Sequence, residues 1–143
     1  MTRGQLAVAM ILPLLGCGGV GPDVPFPAAA ATPSCAPNDA PAVQIDLSLT
    51  GAFGPADAFV RLMVYHAPDQ VSGRTWALDP PHPDGMALFC PGGKALCETA
   101  GRAEVRFDRS GGIAGYVDAN FPRSGRIHGR FTAPLREIAV LCG

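Results

Sequence analysis

Basic side chains concentrate in the last third of the chain, where they alternate with apolar residues. A period of two predicts strands with one buried face, so these cations should share the solvent side of neighbouring strands. We expect an anion-binding face for phosphate, a lipid headgroup or an acidic glycan. The alternative is an ordinary solvated face in which Glu104 and Asp108 pair with arginines across strands. The candidate anion-binding residues are Arg102, Arg106, Arg126, His128 and Arg130.

A proline-rich segment between residues 66 and 84 holds the second group of reactive side chains. His66, His82 and Asp84 are weak candidates for metal ligands, because imidazole and carboxylate groups can converge on a divalent cation. The competing interpretation is a stiff surface loop with solvated polar groups, and we therefore predict no metal and no cofactor. Trp76 could stack on a sugar or anchor a partner, with burial in the core as the alternative.

The first 17 residues carry an export signal. Arg3 precedes an apolar run at residues 6–15, which is shorter than the roughly 20 residues that a membrane-spanning helix needs. Leu14-Leu15-Gly16-Cys17 then resembles the lipobox of bacterial lipoproteins. The resemblance implies cleavage before Cys17 and acylation of its thiol. Within that family, Gly18 at the next position favours localisation in the outer membrane. An ordinary secretory signal cut near residues 28–31 is the alternative.

Cysteine usage agrees with export. Lipidation of Cys17 leaves four cysteines of the five, which can form two disulfides in an oxidising compartment with three connectivities. We favour a local Cys90–Cys97 bridge around a turn-rich loop and a Cys35–Cys142 bridge that joins the two ends of the mature chain. A zinc site is the alternative, but the C-x6-C spacing differs from the usual zinc half-site.

The chain divides into three predicted parts. Residues 1–16 are the signal peptide, and residues 17–41 are a lipidated, Pro/Gly/Ala-rich tether, because dense proline and glycine disfavour helix and sheet. Residues 42–143 form one β domain. Alternating apolar residues and frequent turns predict an all-β fold, a small antiparallel meander closed into a sandwich or barrel of six to eight strands. Gly115 and Gly129 lie inside predicted strands and indicate bulges or bends.

These features favour a non-enzymatic lipoprotein of the bacterial envelope, held at the membrane by acyl chains and binding an envelope protein or glycan. An anion or glycan binder using the arginines is the second hypothesis, and a small metal-dependent hydrolase is the third. The formal net charge of −1 gives no basic excess for nucleic acid. The serines and histidines show no spacing that is typical of a catalytic triad.

Overall fold

The structure, a computed structural model, describes residues 25–93 and 95–143. Within these residues it contains nine strands in two antiparallel sheets and one short 3₁₀ turn, Pro68–Gln70. The predicted all-β fold is therefore confirmed. Two separate sheets are the arrangement of a sandwich. The strands exceed the predicted six to eight because Ala28–Cys35 and Glu98–Thr99 were not expected to be strands.

The five-stranded sheet has the order β1-β2-β3-β5-β6, and the four-stranded sheet has the order β4-β7-β8-β9. The first sheet consists of β1 (Ala28–Cys35), β2 (Pro41–Ser48), β3 (Phe59–Val64), β5 (Gly85–Cys90) and β6 (Glu98–Thr99). The second consists of β4 (Thr75–Ala77), β7 (Arg102–Phe107), β8 (Ile113–Phe121) and β9 (Gly125–Ala133). Strands β7 to β9 form the predicted meander, whereas β4 leaves the first sheet between β3 and β5 to pair with β7.

Alternation decides which side chains face the core. On β2, the side chains of Val43, Ile45 and Leu47 are buried. Burial of each of these apolar side chains stabilises the fold by about 1.5–3 kcal/mol. Asp46, between them, points to the other face of the sheet. There it accepts a hydrogen bond of 2.7 Å from Nε of Arg61, its cross-strand neighbour on β3.

Two aromatic pairs pack in the interior, one between the sheets and one within the four-stranded sheet. Phe89 of β5 lies 5.8 Å, centroid to centroid, from Phe121 at the end of β8. Phe107 and Phe131, from β7 and β9, meet edge to face with their centroids 6.0 Å apart. Both arrangements are favourable geometries for aromatic pairs, so the interior is held by specific ring contacts as well as by burial.

The folded domain begins earlier than the sequence indicated. Strand β1 occupies Ala28–Cys35, inside the range assigned to the tether, and pairs along its length with β2. Proline is tolerated because β1 is an edge strand of its sheet. The N–H of Ala31 donates to the carbonyl oxygen of Pro134, and the carbonyl oxygen of Ala31 accepts from the N–H of Arg136, so both groups point away from β2. Pro33, two residues later, has its backbone nitrogen on the same side. Its missing N–H therefore removes no hydrogen bond between β1 and β2.

Both predicted cysteine pairs are at disulfide distance. The Cα atoms of Cys35 and Cys142 lie 5.7 Å apart, and those of Cys90 and Cys97 lie 4.2 Å apart. The first bridge fastens the C-terminal segment beside β1, and the second closes the loop between β5 and β6.

The expected bulges at the two strand glycines are wrong, because the β7–β8–β9 ladders run through both positions without a break. Gly115 serves a close approach of two backbones instead. A Cβ atom at this position would lie 2.1 Å from the carbonyl oxygen of Arg106 on β7.

The signal peptide and the lipobox, Cys17 included, lie outside the described residues. In the part of the chain that the structure describes, no helix has both the length and the apolar character needed to cross a bilayer.

Candidate functional site

Three strands present their polar side chains on the solvent side of the four-stranded sheet. We call this surface the arginine face. Its residues form three rows across the strands, set by the pairing register of β7, β8 and β9. The rows are Arg102–Asn120–Arg126, Glu104–Asp118–His128 and Arg106–Tyr116–Arg130. Two cationic rows therefore flank a middle row that contains two carboxylates.

A depression of about 330 Å³ lies on this face. Within residues 25–93 and 95–143 its lining comes from β7, β8 and β9 alone, and it is open to solvent on one side. The lining side chains are Arg102, Glu104, Arg106, Tyr116, Asp118, Asn120 and Arg126.

The arginines differ in what already binds them. Arg126 donates two hydrogen bonds of 2.8 Å to the two carboxylate oxygens of Asp118. Arg130 is bound by Asp108, at 2.6 Å, beyond the end of β7. Among the described residues, neither Arg102 nor Arg106 has a carboxylate within ion-pair distance.

Asp118, in the middle row, is held in its ionised form. The hydrogen bonds from Arg126 lower the pKa of Asp118 below its ordinary value, against the opposing effect of partial burial. Coulombic interactions with Arg126, His128 and Arg102 also lower the pKa of Asp118. Asp118 is therefore an acceptor at neutral pH. Arg102 adds to the positive field around it and has no ion-paired carboxylate in the described part of the chain.

Aromatic groups complete the floor of the depression. The hydroxyl of Tyr116 shares a hydrogen bond of 3.2 Å with Nδ1 of His128 on the neighbouring strand. The guanidinium carbon of Arg106 lies 5.9 Å from the centroid of the Tyr116 ring, within the range of a cation–π contact. Tyr116 thus holds Arg106 over the sheet and fixes where its charge is presented.

The structure brings together three of the five predicted anion-binding residues. Arg102, Arg106 and Arg126 line the depression, and His128 contacts it through Tyr116. Arg130 lies outside it, beside Phe26, whose N–H donates to the Arg130 carbonyl oxygen. Sequence reasoning did not single out Tyr116, Asp118 and Asn120, although their alternation with buried residues of β8 was a signal that could have found them.

The predicted metal candidates separate into two pairs. Nε2 of His66 lies 3.0 Å from Asp84, whereas His82 bonds the backbone oxygen of Asp79 in its own turn. Within residues 25–93 and 95–143, no group of three or more histidine, cysteine, aspartate or glutamate side chains is placed to hold a metal ion.

Trp76 is partly buried and packs against the core. Its ring stacks on His66 with a centroid separation of 3.8 Å, and the guanidinium of Arg74 lies 5.9 Å from its centroid. Nε1 of Trp76 is buried without a hydrogen-bond acceptor among the described residues. One face of the Trp76 ring is thus occupied by His66 and does not offer a surface for stacking on a ligand.

A buried carboxylate that the sequence did not reveal organises the turn between β8 and β9. Glu98, only 7% exposed, accepts hydrogen bonds from the N–H of Arg123 and from Oγ of Ser124. Burial acts to raise the pKa of Glu98, but these hydrogen bonds and the charge of Arg123 outweigh it and lower that pKa. Glu98 therefore fixes the turn that leads into Arg126.

No family model matches the chain, and no similar curated protein or solved structure was found.

Proposed function

We propose that this protein is a lipid-tethered, non-enzymatic binding module of the bacterial cell envelope. Its recognition surface is the arginine face, and its ligand is an acidic glycan of the envelope. The observation that carries the proposal is the arrangement of two cationic rows around a polar middle row on an uncovered sheet surface.

The spacing of the rows suits a ligand with repeated acidic groups. Arg102 and Arg106 are four residues apart on one strand, so their Cα atoms are separated by roughly 14 Å at about 3.4 Å per residue. Both lack a carboxylate partner among the described residues, and an arginine fork can bind a carboxylate through two parallel hydrogen bonds. One acidic group of the ligand therefore binds in each cationic row.

The middle row supplies groups that suit sugar hydroxyls. Asp118 is held ionised by Arg126 and accepts hydrogen bonds, and Glu104 lies beside it on β7. Asn120 adds an amide that both donates and accepts. This combination supports a polyhydroxylated acid over a compact inorganic anion, which would use the arginines alone.

The anchor supports a role at a fixed surface. Acylation of Cys17, as the lipobox resemblance implies, holds the domain at the membrane, most consistent with the outer membrane because Gly18 follows. An open sheet face on such a domain is available to an immobile polymer or protein nearby.

Binding of polygalacturonate, a uronic acid polymer, tests the ligand class. We expect the acylated protein in detergent to bind this polymer in isothermal titration calorimetry and not to bind neutral dextran. The double variant Arg102→Ser/Arg106→Ser should lose at least about tenfold in affinity, because two charge-assisted hydrogen-bonding groups are removed.

The matched control changes the charge equally elsewhere. Arg109 and Arg136 are exposed and lie off the arginine face, so Arg109→Ser/Arg136→Ser should keep most of the affinity. Equal losses in the two double variants would mean that only net charge matters, and the proposed recognition surface would be wrong.

The anchor and the natural ligand need a separate experiment in the producing cell. Metabolic labelling with an alkynyl fatty acid should mark the protein and fail to mark a Cys17→Ser variant. Crosslinking followed by mass spectrometry should recover glycan attached near Arg102 or Arg106. A stoichiometric protein partner crosslinked to the same face, with no glycan, would replace the glycan assignment with a protein ligand.

A further inference from the structure

We propose that one end of the sandwich is a membrane-docking surface, formed by residues 49–58, 91–93 and 95–97. We call it the docking end. Phe53 and Leu96 insert into the boundary between headgroups and acyl chains of the leaflet that holds acylated Cys17. The inference rests on the lipid anchor of the proposed function and is independent of the arginine face.

The chain leaves the domain toward Cys17 at this end. Strand β1 begins at Ala28, which pairs with Ser48 at the end of β2. Pro27 lies against the following turn, since a Cβ atom on Gly51 would be 3.7 Å from the Pro27 Cβ. Only residues 18–24 separate Cys17 from Pro25, and eight Cα–Cα steps span at most about 28 Å.

The two loops of the docking end contact each other. The N–H of Gly93 donates a hydrogen bond of 2.7 Å to the carbonyl oxygen of Pro55. Gly92 approaches Ala56 so closely that a Cβ atom there would lie 2.3 Å from the Ala56 oxygen. The disulfide between Cys90 and Cys97 closes the second loop, and the contacts with residues 55 and 56 place the two loops side by side on one surface.

Hydrogen bonds hold the first loop in a shape that exposes Phe53. Oγ of Ser48 donates to the carbonyl oxygen of Ala52 at 2.6 Å. Asp57 accepts from Oγ1 of Thr50 and from the N–H of Gly54, both at 2.8 Å. Phe53 lies within this network yet is 47% exposed, so the exposure is built into an ordered turn.

The side chains of the docking end suit a lipid surface. Leu96 is 84% exposed and Leu49 is 37% exposed, which adds two apolar groups to Phe53. Asp57 is engaged within its own loop, and neighbouring Glu98 is buried against the turn that contains Arg123. Arg123 lies beside Leu96 and is 74% exposed, although its Nε is 3.7 Å from Oε1 of Glu98. Its outer guanidinium nitrogens can therefore meet lipid phosphates. Apolar tips with an adjacent arginine are the composition of surfaces that lie in the membrane interface.

Tryptophan reporters can locate the membrane. The acylated protein is reconstituted into phosphatidylcholine vesicles with and without lipids brominated on their acyl chains, and bromine quenches tryptophan on contact. Trp76 is the only natural tryptophan, so the wild-type protein supplies the baseline. We expect the added emission of Phe53→Trp and Leu96→Trp to be lost in brominated vesicles.

The matched control lies at the other end of β1. Leu141 is 97% exposed and adjoins Cys142, which bridges to Cys35 at the strand's far end. The added emission of Leu141→Trp should be unchanged by bromine. Combining Phe53→Trp with Leu96→Ser should reduce quenching, whereas combining it with Leu141→Ser should not.

The outcomes separate the inference from the anchor on which it rests. Flotation of the Phe53→Trp protein with vesicles would show that the anchor is present. If the added emission of that floating protein is unquenched, or if the Phe53→Trp and Leu141→Trp reporters are quenched equally, the proposal that the docking end contacts the membrane is wrong. Shielding of the Phe53→Trp reporter by a crosslinked second copy or protein partner overturns the docking end too. A protein whose Cys17 is unacylated by mass and that does not float overturns both.

Discussion

Removing the Cys35–Cys142 bridge should destabilise this protein more than removing the Cys90–Cys97 bridge. The first bridge joins strand β1 to the C-terminal segment, and the second closes a short loop. Each bridge restricts the unfolded chain, and the restriction grows with the length of chain between the cysteines. The double variants Cys35→Ser/Cys142→Ser and Cys90→Ser/Cys97→Ser therefore compare a long and a short loop in one protein.

The magnitude follows from the two sequence separations. On the chain-entropy relation, a separation of 107 residues corresponds to about 4.8 kcal/mol at 25 °C, and a separation of 7 corresponds to about 2.4 kcal/mol. Domains of this size unfold with free energies of about 5–15 kcal/mol. Loss of the long bridge thus removes a large part of the stability, roughly twice the loss from the short one.

Urea titration followed by far-UV circular dichroism measures both losses. The midpoint should fall further for Cys35→Ser/Cys142→Ser, with the free energy of unfolding taken by linear extrapolation. Hydrogen exchange supplies a local readout. The amides of Ala31 and Arg136, which join β1 to the C-terminal segment, should lose protection in this variant only.

Equal losses in the two variants, or a larger loss from the short bridge, would refute loop length as the source of the difference. Unchanged protection at Ala31 and Arg136 would show that the backbone hydrogen bonds hold the C-terminal segment without the bridge.

Two further predictions concern single positions. Gly115→Ala should destabilise by about 1–3 kcal/mol, because the new Cβ would lie 2.1 Å from the Arg106 oxygen, whereas Gly111→Ala, with open space around it, should be nearly neutral in thermal unfolding. Glu98→Gln should flatten the acid side of the stability curve. The pKa of Glu98 is lowered from 4.5 in the folded state, so its stabilisation is present above that value and lost as the pH falls through the folded pKa. Equal slopes below about pH 5 in both proteins would contradict this assignment.

Much of the fold was predictable because alternation is a local signal. Residues 43–47 and 102–107 have apolar residues at every second position, and both ranges lie in strands whose buried faces follow that pattern. Leu49 continues the alternation but lies after the end of β2 and is exposed. Strand β1 was missed because its four alanines and single proline carry no alternation. It becomes a strand through pairing with β2 and bonding to the C-terminal segment, which lie elsewhere in the sequence.

The candidate site was predicted in part for the same reason. The outward direction of Arg102, Arg106 and Arg126 follows from alternation on their own strands. Which acids lie beside them does not, because a shift of one residue in register exchanges the partners. The sequence suggested Glu104 and Asp108 as partners, and the structure pairs Arg126 with Asp118 and Arg130 with Asp108.

The sequence by itself determined the strand character of most of the chain and the inner and outer faces of those strands. It also favoured, among three possible connectivities, the cysteine pairing that the structure has. These properties depend on backbone periodicity and on the number and spacing of one residue type. Only the tertiary structure decided the three rows of the arginine face, the burial of Glu98 against a turn 25 residues away, and the meeting of two loops beside Pro27. Each of these depends on sheet register or on the packing of distant segments, for which local sequence carries no signal.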